Sequence, residues 1–71
     1  MYLVSQDKNK IVLMDKVEYS SLFKKYIITA YGTGPSSYAT VGEYDTEEQV
    51  KAEMGRIIAA LHNGETVYEV R

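Results

Sequence analysis

Residues 45 to 64 constrain this chain more than any other stretch, because they spell a whole amphipathic helix with both ends marked. Thr46 and Gln49 have the spacing of a capping box, in which each side chain satisfies a backbone N–H that the helix leaves free. Asp45 with Glu48 offers the same box one residue earlier. Val50, Met54, Ile57, Ile58 and Leu61 recur with a 3.6-residue period and predict one buried stripe. Asn63-Gly64 supplies a residue able to turn left-handed and end the helix. Glu47 and Lys51, four apart, suit a solvated face. Gly55, with Ala52, Ala59 and Ala60, suits close approach to a sheet or to a second helix.

Upstream of the helix the patterning is that of strands. Tyr2 to Val4 and Lys10 to Met14 are short apolar runs separated by the polar turn formers SQDKN. Val17 to Phe23 alternates weakly. Tyr26 to Tyr31 is rich in β-branched and aromatic types and is the clearest strand. GTGPSS, residues 32 to 37, is a loop. Tyr38 to Tyr44 resumes the alternation, and Thr66 to Val70 can add a short final strand. Tight polar turns favour antiparallel pairing. The expected fold is α+β: an antiparallel sheet of about five strands, curled in a barrel-like way or open, packed against one C-terminal helix, with a possible last strand.

With 71 residues the chain is one domain, residues 1 to 71. It has no Cys, so neither disulfides nor thiolate metal sites can support so small a core. Self-association is expected on size grounds, with a symmetric dimer as the default. The formal net charge of −2 disfavours a nucleic-acid partner. No apolar run is long enough to span a bilayer and the N-terminus has no signal-peptide pattern, so a cytoplasmic setting without membrane contact is expected.

Chemistry is sparse. His62 is the sole histidine and falls in the last helical turn, where capping carbonyls is its natural role. Metal ligands are not clustered, and Asp7, Asp15 and Asp45 lie too far apart for a calcium loop. The GTGPSS loop lacks both the GK[ST] ending and the third Gly of phosphate-binding loops. No enzyme, cofactor or metal is therefore expected. The candidate binding residues are Lys24, Lys25, Tyr31, Ser36, Ser37 and Tyr38. Lysines and hydroxyls can meet an anion, and Tyr rings can stack on a base or anchor a protein contact. Seven Tyr against one Phe and no Trp suit strands first, where Tyr has good propensity, and an aromatic contact surface second.

The phrases Val4-Ser5-Gln6-Asp7-Lys8-Asn9 and Gly42-Glu43-Tyr44-Asp45-Thr46-Glu47-Glu48 carry a resemblance. The chain resembles small proteins of unassigned function common in phages and prophages of Gram-positive bacteria, which open on such a VSQD phrase and start their helix on such a TEE phrase. Residues 15 to 41 are not diagnostic. The resemblance implies a mobile-element setting and transfers no catalytic residue. By itself it leaves function open; together with the small size, the abundant Tyr and the missing catalytic set it points to a non-catalytic protein that engages a host protein and could inhibit a bacterial defence system. The alternative is a sponge that sequesters a small anionic signalling nucleotide at a subunit interface.

Overall fold

The computed structural model describes residues 1 to 33 and 37 to 71. Ser36, one of the candidate residues, lies outside the described residues. The chain runs β1 (Tyr2–Val4), β2 (Ile11–Leu13), β3 (Lys16–Leu22), β4 (Lys25–Tyr31), β5 (Tyr38–Tyr44), α1 (Glu47–His62) and β6 (Val67–Glu69). This is the expected α+β fold with a C-terminal helix and a short last strand. The strands do not share one sheet, however. They form two three-stranded sheets, ordered β2-β1-β6 and β3-β4-β5, and no barrel closes. The division falls at Met14-Asp15, between β2 and β3. β6 lies parallel to β1, because the helix carries the chain back across the molecule before β6 begins.

Gln6 stitches the sheets together. Its N–H donates to Val41 O at 2.8 Å and its Oε1 accepts from Glu43 N at 2.7 Å. These partners flank a bulge: Ile28 pairs with Gly42 and Thr29 with Thr40, leaving Val41 as the extra residue of β5. The bulge thus frees a backbone acceptor for the other sheet. Ser5, buried next door, donates to Asp7 and accepts from Lys10 N, while Asp7 also accepts from Asn9 N. These bonds hold the β1–β2 turn and keep the Asp7 carboxyl below its ordinary range, the Ser5 hydroxyl foremost.

The core joins Leu3 and Val70 from one sheet, Ile28, Ala30, Val41 and Tyr44 from the other, and Val50 and Ile57 from α1. The helix begins on the predicted box, with Gln49 N donating to Thr46 Oγ1 and Thr46 N to Gln49 Oε1, both at 3.2 Å. It ends in a Schellman pair, Glu65 N to Ala60 O and Gly64 N to Leu61 O, with Gly64 at φ 70°. Its buried face differs from the predicted stripe. Val50, Glu53, Ile57 and Ala60 are buried, Met54 partly so, and Ile58 and Leu61 are exposed. Gly55 faces open space, so it serves no close approach within the chain.

The helix turns that way because of Glu53. This carboxylate is fully buried: Oε1 accepts from Arg56 Nε at 2.5 Å, and Oε2 accepts from Tyr68 OH and Arg71 N, both at 2.8 Å. Reading Glu53 as solvent-facing misplaces the stripe, since nothing local announces partners 15 and 18 residues away. Glu53→Ala is expected to cost about 2 kcal/mol, because it leaves the half-buried Tyr68 hydroxyl and the part-buried Arg71 N–H without their acceptor. Urea unfolding would read this as a lower midpoint with an unchanged slope.

Gly42 explains a second packing constraint. A Cβ there would sit 2.6 Å from Tyr44 Oη and 2.9 Å from its ring. Tyr44 is itself wedged in the core and cannot swing clear. Gly42→Ala should therefore destabilise by about 1–3 kcal/mol through overpacking. Combined with Tyr44→Leu, the same change should cost markedly less, a coupling that a double-mutant cycle measures.

Candidate functional site

The β3-β4-β5 sheet has two unlike faces. Pleat alternation turns Tyr26, Ile28 and Ala30 of β4 toward the helix, and Ile27, Thr29 and Tyr31 away from it. Register places Ser20 opposite Ile27 and Glu18 opposite Thr29 on that outer face, with Thr40 and Tyr38 completing it from β5. No described residue covers it. Tyr31 and Tyr38 pair across the strands with ring centroids 6.0 Å apart. Lys16 Nζ stands 4.9 Å over the Tyr31 ring, a cation–π contact. Tyr31 OH donates to Glu18 Oε1 at 2.7 Å, which fixes the ring and lifts its phenol above the ordinary range.

At the far end of the same face stands Phe23. It is the first of the two residues that join Leu22 to Lys25, and it holds φ 58°. That is the glycine position of a type II′ hairpin turn. A bulky side chain there stores about 1–3 kcal/mol of strain. It also stands 94% exposed. Leu22, Phe23, Ile27 and the stems of Lys24 and Lys25 surround an open groove of about 690 Å³, with Glu43 at its rim.

The candidate residues therefore separate into two groups. Tyr31, Ser37 and Tyr38 lie at one end of β4, where Gly32 N donates to Ser37 O at 2.6 Å. Lys24 and Lys25 lie at the other, roughly 20 Å away along seven residues of strand. Lys24 and Lys25 do not converge with Ser37 on one point. Lys25 is occupied instead: Asp45 at 3.1 Å and Glu43 at 3.4 Å hold it and raise its pKa, Asp45 first. Phe23 escaped the sequence reading. Its signal was a hairpin turn, LFKK, with neither Gly nor Asn to supply a positive φ.

Two phenols face the interior, buried Tyr44 on β5 and half-buried Tyr68 on β6. Tyr44 OH is buried with no hydrogen-bond partner. Burial, then the Glu53 charge, pushes its pKa far above the ordinary range, and Tyr68 is raised by burial and then by its hydrogen bond to Glu53. Glu53 itself is saturated by its three partners and closed to solvent, which suits a staple. Among the described residues, no three His, Cys, Asp or Glu side chains cluster as metal ligands. No described helix is long and apolar enough to cross a membrane. Comparison with known proteins gave no matching family model, no matching curated protein and no matching solved structure.

The two interior phenols set an alkaline limit. Unfolded tyrosine ionises near pH ~10, whereas folding holds Tyr44 and Tyr68 neutral beyond it. Stability should be full below that pH and fall as the pH rises above it, since only the unfolded chain releases those protons. Tyr44→Phe removes an unpaired buried hydroxyl. It should leave stability equal or up to about 1 kcal/mol higher at pH 7, and should blunt the alkaline fall. Thermal melts from neutral to alkaline pH measure both.

Proposed function

We propose that the protein is a non-catalytic binding module of phage or prophage origin that engages a host protein, in the host cytoplasm, through the outer face of β3-β4-β5. A component of a bacterial defence system is the target class this setting puts first, with inhibition by occupancy as the mode of action. The observation that carries the reading is Phe23, a bulky aromatic held in a strained turn and almost wholly exposed. A turn selected for stability alone would place Gly there. Strain kept at an exposed aromatic is the mark of a contact residue. Tyr31 and Tyr38 extend the surface with rigid rings that lose little entropy on binding, and Ser20, Thr29 and Thr40 add adaptable hydroxyls. Within one chain the length of β4 separates Lys24 and Lys25 from Ser37 and Tyr38, so the nucleotide-sponge reading needs a second copy to bring them together.

The test separates folding from binding. Phe23→Gly should stabilise the fold by about 1–2 kcal/mol, because glycine fits the turn. The same change should weaken capture of a stoichiometric partner from Gram-positive host lysate about tenfold or more, as should Tyr31→Ala with Tyr38→Ala. Capture that is unaltered by all three changes, or no partner above background with the intact protein, refutes the proposal.

A further inference from the structure

The β2-β1-β6 sheet also has an uncovered face, with different chemistry. Leu3, Val12 and Tyr68 point to the core. Tyr2, Val4, Ile11, Leu13, Val67 and Glu69 form the other side by alternation. Ile11 is 68% exposed, and Tyr2, Leu13 and Val67 are each about half exposed. At the β2 edge Ile11 and Leu13 adjoin Gly32, Thr33, Ser37 and Tyr38 around one shallow pocket. Apart from the Tyr2 hydroxyl, no polar side chain interrupts the face until its edge, where Glu69 meets Lys8 at 3.0 Å.

We infer that this face is the interface between two copies of the chain, packed sheet on sheet. Area is the first argument. The apolar surface left on these side chains is on the order of 400 Å². That is about half of the ~800 Å² each partner buries in a standard interface, and the exposed turn residues beside it extend the contact. Charge is the second. The β6 edge carries Glu65 and Glu69 with Lys8 and Arg71 around Val67, two of each sign, so the patch can meet its own copy with opposite charges apposed. A lipid surface suits it less, because a chain of net charge −2 with acidic groups on the rim is repelled by anionic headgroups. A partner that must come and go suits the hydroxyl-rich face around Tyr31, whereas an uncharged centre fits a lasting mate. The third argument is thickness. A three-stranded sheet with one apolar face in water is marginal, and a second sheet about 10 Å away covers it.

The helix offers a competing surface at Ile58 and Leu61, and the experiment discriminates between them. Sedimentation equilibrium of the full chain from low to high micromolar concentration should show a dimer. Ile11→Lys and Leu13→Lys should each weaken it about tenfold or more. Ile58→Lys, on the helix, should leave it unchanged. The chain has no Cys, so a nitroxide on Val67→Cys reports between copies alone. A single intermolecular distance within roughly 20 Å is expected, given the sheet spacing and two tethers. This readout decides the matter even if the lysine variants fail to fold. A monomer throughout the range, a dimer that survives both lysine variants in folded form, a dimer lost through Ile58→Lys, or absence of the short distance would each overturn the inference.

Discussion

The buried carboxylate of Glu53 organises the molecule. Burying a charge is costly unless every lone pair finds a partner. Here the partners come from three places: the next turn of α1, the ring of Tyr68 on β6, and the backbone of Arg71. The helix can therefore take only one rotation about its axis, and the last strand only one position beneath it. From this follow the burial of Ala60, the exposure of Ile58 and Leu61, and the parallel seat of β6 beside β1. Apolar packing alone would accept several rotations of a helix whose hydrophobic residues wrap so far around it. The ionic staple selects among them, and selection of this kind is the best-attested use of a buried charge.

The two open sheet faces differ in chemistry. One is studded with Tyr, Thr and Ser and ends in a strained phenylalanine. The other is nearly bare of polarity between its rims. The bulge at Val41 lets both exist in so short a chain. It bends β5 so that Gln6 can reach across, and it tips the two sheets into a half-open shell with helix and core inside. Each sheet spends one side on that shared interior and keeps the other free. A single flat five-stranded sheet under one helix would expose only one such surface.

Local rules made much of this legible in advance. The capping box, the Schellman ending and the strand at Tyr26 to Tyr31 depend on neighbours within a few residues, and sequence displays those directly. What lay hidden depends on distant partners. Glu53 reads as a solvated helix residue until Tyr68 and Arg71 are brought beside it. The five expected strands are present, yet their division into two sheets turns on Gln6 meeting a bulge 35 residues away. For the candidate site, Tyr31 and Tyr38 follow from cross-strand register once the GTGPSS loop is read as a hairpin. Lys24 and Lys25 were placed with that loop by chemistry, and the length of β4 sets them apart. Phe23 was legible only as an omission, a tight turn without its glycine.

The parallel pairing of β1 with β6 has a consequence for synthesis. Tyr2 N donates to Thr66 O and Val70 N to Val4 O, so the first strand waits for the last. As the chain emerges from the ribosome, the β1–β2 hairpin has one flank open until residues 66 to 70 are free. Closure then joins strands separated by nearly all the rest of the fold, with the slow kinetics that large sequence separation imposes. Until that moment nascent copies display unpaired backbone, and crowded polysomes would be the place where they meet the wrong neighbour.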